Sequence, residues 1–167
     1  MRPPDSELAL RVWDPFVRVF HWSLVSCVIL NFFVVDDGET LHQLVGYTAS
    51  ALVVARLVWG FVGSAHARFA DFFPTPARLR AHLAAIRAGR HDFQPGHNPL
   101  GALMMLALMT LVLALGLTGF LQTTDLFWGE EWLEELHAGL ATTLIALAGI
   151  HAAAAIVMGR LERVNLV

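Results

Sequence analysis

Four histidines stand where a chain of this composition would otherwise carry leucine. His137 and His151 are the only ionisable residues in "LHAGLATTLIALAGIHAAAA" (136–155); His42 opens "LHQLVGY", and His21 lies in "VFHW". Imidazole can bond across helices, relay protons or ligate a metal. His137 and His151 are 14 residues apart. On a helix that leaves them about 40° from eclipsed and about 21 Å apart along one face. The same interval separates His42 from Arg56, so those two share a face as well.

The elements that carry these residues are apolar and long. Of 167 residues, 56% are hydrophobic and only 15% charged, against about 25% charged in an ordinary soluble domain. Blocks at about 16–35, 41–63, 99–122 and 132–158 approach or exceed the roughly 20 apolar residues that cross a bilayer as a helix. Within lipid only helices or a closed barrel satisfy the backbone, and four spans cannot close a barrel. The expected fold is therefore all-α and integral to the membrane. It is a single domain over 1–167, a four-transmembrane-helix bundle with a cytoplasmic loop at 64–98. The first block is too long for a signal-peptide core, carries Arg18 and His21, and precedes no small-residue cleavage site, so it is expected to be retained. Cys27 is the only cysteine; it excludes a disulfide framework and a CxxCH haem attachment, and reads as a packing residue.

Charge gives an orientation. All 11 basic residues are arginines, and they fall before or at the start of the first block, late in the second or in the loop after it, and after the fourth. The connections 36–40 and 123–131 contain none. The positive-inside rule then puts both termini and the long loop in the cytoplasm. Eight of the 14 acids (Asp36, Asp37, Glu39, Asp125, Glu130, Glu131, Glu134 and Glu135) fall on the outer side. They serve either as loop solvation or as a landing site for a basic soluble partner. In the cytoplasmic loop, Thr75-Pro76 reads as an N-cap and first helical residue, with Leu79, Leu83 and Ile86 on one face. This predicts a short amphipathic helix on the membrane surface between the second and third spans.

Depth then pairs the histidines. Asp14-Pro15 starts the first helix, which puts His21 about two turns in, on the cytoplasmic half, level with His151. His42 and His137 both lie near the outer surface. Two levels with two imidazoles each describe two bis-histidine sites stacked through a four-helix bundle. A zinc site needs three or four protein ligands, and each level offers two. Haem iron needs only two from the protein. The expectation is two non-covalent haems, with His21 and His151 on the inner iron and His42 and His137 on the outer. Gly46, Gly139, Ala141, Gly149 and Ala152–Ala155 are expected to leave room for the macrocycles. Arg56 either snorkels to the inner interface or pairs with a propionate of the inner haem or a quinone carbonyl. His66, His82, His91 and His97 belong to the cytoplasmic loop and are expected to be solvated. "GHNPLG" (96–101) caps the third helix through Asn98, with His97 as a lesser candidate for a propionate.

Together, "RVWDPFVRVFHW", "LHQLVGY", "RLVWGFVGS", "ARFADF", "GHNPLGALMMLALM" and "ELHAGL…GIHAAA" resemble the bacterial two-haem membrane cytochromes b. These include the cytochrome b561 type and the b-type cytochrome subunits of nickel–iron hydrogenases. The resemblance runs through nearly the whole chain. It implies a four-helix membrane subunit with two haem b groups, an oxidoreductase component of a respiratory chain. His21, His42, His137 and His151 match the ligand positions of that family. It also implies electron exchange between the quinone pool and a periplasmic c-type cytochrome or redox enzyme subunit. Besides membrane lipid, a second copy of the chain is a candidate partner; nucleic acid is not expected. No side chain is assigned a bond-making catalytic role. Two other classes compete: a histidine-lined metal or proton transporter, and a haem-free membrane anchor of a larger complex.

Overall fold

A computed structural model describes residues 14–63, 68–88 and 99–162. Among them are six helices and no strand: α1 (Pro15–Phe33), α2 (Thr40–Val62), α3 (Phe69–Phe72), α4 (Pro76–Arg87), α5 (Pro99–Gln122) and α6 (Glu131–Glu162). Helices α1, α2, α5 and α6 are each long and apolar enough to cross a membrane, as expected from the four apolar blocks. Their large apolar side chains, such as Val19, Phe33, Phe61, Leu117 and Ile150, are exposed. In water such a surface would aggregate; in lipid it is the solvated face.

Local chemistry sets the ends of these helices. Asp14 accepts a 2.8 Å hydrogen bond from the Phe16 amide, and Pro15 follows it, which caps one of the orphan amides of the first turn. The α1–α2 hairpin turns through Gly38, at φ 77°, a left-handed conformation that costs glycine little. The α5–α6 hairpin does the same through Gly129, at φ 75°. Thr123 and Thr124 donate back to the carbonyls of Phe120 and Leu121, which closes the last turn of α5. In α6, Glu131 and Glu134 occupy the first turn and Arg160 the last, each sign matching the helix dipole. Helix α4 starts one residue later than its cap, Thr75, which accepts from the Arg78 amide at 3.3 Å.

Packing runs as a chain of neighbours: α1 on α2, α2 on α5, and α5 on α6, with α4 on α5 and α3 on α2. Ala49, Val53, Ala102, Met109, Val112 and Leu144 form the buried seam with Phe20 and Phe69. At its tightest point Gly116 of α5 meets the Ser50 side chain of α2, where any Cβ would collide with the hydroxyl. The backbone of α6, by contrast, has no extended contact with α1 or α2. That flank is spanned by side chains, and the histidines are among them. The two short loops, 34–39 and 123–130, lie at one end of the bundle, the hairpin end; the start of α1 and the end of α6 lie at the other, the terminal end.

Candidate functional site

At the hairpin end, α2 supplies His42 from its first turn and α6 supplies His137 from its second. Their ring centres are 6.3 Å apart, with the planes at 59°. A metal–imidazole bond of about 2 Å on each side, with roughly 1 Å from nitrogen to ring centre, adds up to about 6 Å. One metal atom held by both imidazoles would therefore fit between these rings. His137 Nδ1 lies 2.8 Å from the Thr118 hydroxyl oxygen, which leaves its Nε2 for a ligand. His42 is held through its backbone, where Asn31 Nδ2 donates to its carbonyl at 3.1 Å. The His42 Nδ1 is buried and has no hydrogen-bond partner among the described residues; a carboxylate oxygen of Asp37 stands just beyond reach at 3.7 Å. A buried ring nitrogen in that state is costly in a finished site.

At the terminal end, His21 of α1 and His151 of α6 lie near enough to interact electrostatically. Trp22 stands edge-on to His21, with ring centres 5.4 Å apart. Arg56 is the buried cation of this end, with 1% of its surface exposed, so it does not snorkel into solvent. Its guanidinium carbon sits 5.2 Å from the centre of the Phe69 ring, a cation–π arrangement, and it interacts with the Asp14 carboxylate. Trp59 Nε1 donates to the other Asp14 oxygen at 3.2 Å, and its ring packs on Phe16 at 4.7 Å. Gly60, one turn after Arg56, leaves the space that the Phe69 ring occupies; a Cβ there would strike it.

The small residues do not all serve as the spacing suggested. A Cβ at Gly46 would lie 3.3 Å from the Asn31 amide nitrogen, so this glycine admits a side chain of α1. Gly139 and Gly149 face open space, because they lie about 160° around the helix from His137 and His151. The glycine that backs a histidine is Gly119, where an added Cβ would come within 3.4 Å of His137 Cε1. Thr118, Gly119, Asn31 and Phe69 were not singled out from spacing. The signal for Thr118 was present, since it is a hydroxyl inside an otherwise apolar span. His82 is half-buried on α4 rather than solvated; His66, His91, His97 and the Asn98 cap lie outside the described residues.

Among the described residues no three His, Cys, Asp or Glu side chains come together as metal ligands. The arrangement therefore offers pairs of nitrogen ligands on an open helix flank, which suits a group that brings its own equatorial ligands. Thr142 and Thr143, the polar residues between the two histidines of α6, donate to Ala138 and Gly139 carbonyls of their own helix. They extend no polar path between the two levels.

The family model described as prokaryotic cytochrome b561 matches residues 12–167. The chain belongs to this family. As a prokaryotic cytochrome b561 it is a b-type cytochrome, a multi-pass bacterial membrane protein of electron transfer. Two curated relatives carry the name "probable Ni/Fe-hydrogenase B-type cytochrome subunit". The one from Rhizobium leguminosarum bv. viciae is 25% identical over 149 residues, covering 72% of this chain and 62% of the relative. The one from Azotobacter vinelandii is 24% identical over 162 residues, covering 78% and 66%. This cytochrome b561 thus spans just under two thirds of the length of either relative. No solved structure matches it significantly.

Proposed function

We propose that this cytochrome b561 holds two haem b groups and carries electrons across the inner membrane between the quinone pool and a periplasmic redox partner. The observation behind the reading is the 6.3 Å separation of the His42 and His137 rings. His21 and His151, near enough to interact electrostatically, are the candidate pair at the other end of the bundle. His42 and His137 would hold one haem; His21 and His151 would hold the other.

The haem supplies one-electron exchange at its iron when bound. The protein chain fixes everything around that exchange. With two imidazoles holding each haem, no ligand position would be left open to oxygen, so oxygen activation is not expected. The apolar spans exclude water, and Arg56 presents a buried positive charge for a propionate or a quinone carbonyl. The absence of arginine from the hairpin loops supports a periplasmic hairpin end. Its eight acids then suit a basic c-type cytochrome or a redox enzyme subunit; the names of the two curated relatives favour the second. A transporter reading would need polar groups continuing between the levels, and Thr142 and Thr143 turn inward on their own helix instead.

The test is spectroscopic. Purified from membranes, the protein should be red, with sharp reduced α and Soret bands. A quinol analogue should reduce it in competition with candidate periplasmic donors. A colourless but correctly folded protein would remove the reading altogether, and reduction by periplasmic donors alone would remove the quinone.

A further inference from the structure

Thr118 of α5 is 7% exposed and its oxygen has three polar neighbours. They are the carbonyl oxygens of Ala114 at 2.9 Å and Leu115 at 3.2 Å, and His137 Nδ1 at 2.8 Å. A hydroxyl has one proton to donate and lone pairs with which to accept. The two carbonyls can only accept, so they draw the proton back toward the helix, as threonine in helices commonly does. The lone pairs of Oγ1 are then left facing His137. Under that arrangement the ring nitrogen donates, His137 is the Nδ1–H tautomer, and its Nε2 lone pair points away from α5. Gly119 completes the seat, because its missing side chain lets His137 Cε1 lie close against the α5 backbone. His42 has no counterpart to this; its Nδ1 makes no hydrogen bond among the described residues, and Asp37, at 3.7 Å, is 98% exposed.

We infer that Thr118 is the positioning residue of the hairpin-end haem: it fixes the tautomer of His137 and sets the reduction potential of the iron that His137 ligates. The inference rests on the proposed ligation by His137. A ligating histidine whose other nitrogen donates a hydrogen bond is a stronger base. A stronger base favours ferric over ferrous iron and holds the potential down. His137 is thereby the pre-oriented axial ligand and His42 the adjustable one.

The experiment compares Thr118→Val, Thr118→Ser and His137→Ala in the full-length protein in membranes or detergent. Its readouts are redox titration of each haem and the low-spin ferric EPR signal. Thr118→Val keeps the volume and removes the acceptor. It should weaken the preference for ferric iron about tenfold, an upward shift of about 59 mV for a one-electron couple, at the hairpin-end haem alone. Thr118→Ser should restore the wild-type potential and EPR signal. If Thr118→Val does not fold, Thr118→Ala is read in the same way. An unchanged potential and signal in the valine variant overturns the inference, as does an equal shift of both haems. So does a serine variant that behaves like valine. His137→Ala separates the underlying reading: retention of both haems in that variant shows that His137 is not a ligand, whatever Thr118 does.

Discussion

At the hairpin end the histidines are held by neutral groups, the Thr118 hydroxyl against His137 and the Asn31 amide on the His42 carbonyl, with a nearby charge, the Asp37 carboxylate 3.7 Å from His42, exposed to solvent. At the terminal end, His21 and His151 share their half of the bundle with the buried Arg56 cation, which interacts with the half-buried Asp14 carboxylate and lies against Phe69, while Trp59 donates to Asp14. One end is organised by hydrogen bonds that orient a ring, the other by a charge kept out of water. The electronic consequences differ. A hydrogen bond behind a ligand acts on one iron through one bond, whereas a buried cation acts on whatever lies within several ångströms of it. If each end holds a haem as proposed, these surroundings would give the two haems different potentials.

The comparison breaks most sharply at the ligands themselves. His137→Ala should eliminate the hairpin-end haem and leave the terminal-end spectrum intact, and His151→Ala should do the reverse; optical and EPR spectra of the two variants check this. Loss of both haems from a folded single variant would mean that the two ends are not separate sites.

Next in size is the charge. Arg56→Leu should lower the potential of the terminal-end haem by about 50–100 mV, the scale expected for one unit charge at effective protein dielectric. The hairpin-end haem should move far less, as read by redox titration. Because Asp14 is left beside an apolar side chain, the variant should also unfold at lower temperature, by an amount reflecting up to about 3 kcal/mol.

Packing gives a smaller, paired test. Gly60→Ala drives a methyl into the Phe69 ring over Arg56, and Gly116→Ala drives one into Ser50. Each should cost about 1–3 kcal/mol by overpacking, measured as the thermal unfolding midpoint in detergent. The first should perturb the terminal-end haem spectrum and the second the hairpin-end one. Smallest of all, Thr75→Ala removes the cap of α4 at about 1 kcal/mol and should leave both haem potentials unchanged.

The sequence carried the architecture because bilayer length and helix period are one-dimensional quantities. The blocks at 16–35, 41–63, 99–122 and 132–158 match α1, α2, α5 and α6 to within four residues at every end. The 14-residue interval between His137 and His151 likewise required only counting. The surroundings of the histidines were not legible in the same way, since they depend on which helix faces which. Gly139 is two residues from His137 in sequence yet on the opposite side of its helix, while Gly119, 18 residues away on α5, is the glycine against its ring. Phe69 belongs to a four-residue helix too short to leave a periodic signature, and its contact with Arg56 depends on the space at Gly60. The burial of Arg56 followed from neither hydropathy nor spacing, because snorkelling and pairing predict the same residue at the same depth.

The most direct measurement is the haem-to-polypeptide ratio of the purified protein, determined beside that of His42→Ala. Two bis-histidine sites predict two haem b per chain, falling to one in the variant, with the remaining haem retaining its low-spin bis-histidine EPR signal. A ratio of one in the wild type, or a ratio of two that survives the loss of His42, would contradict the pairing of histidines on which the two-ended design rests.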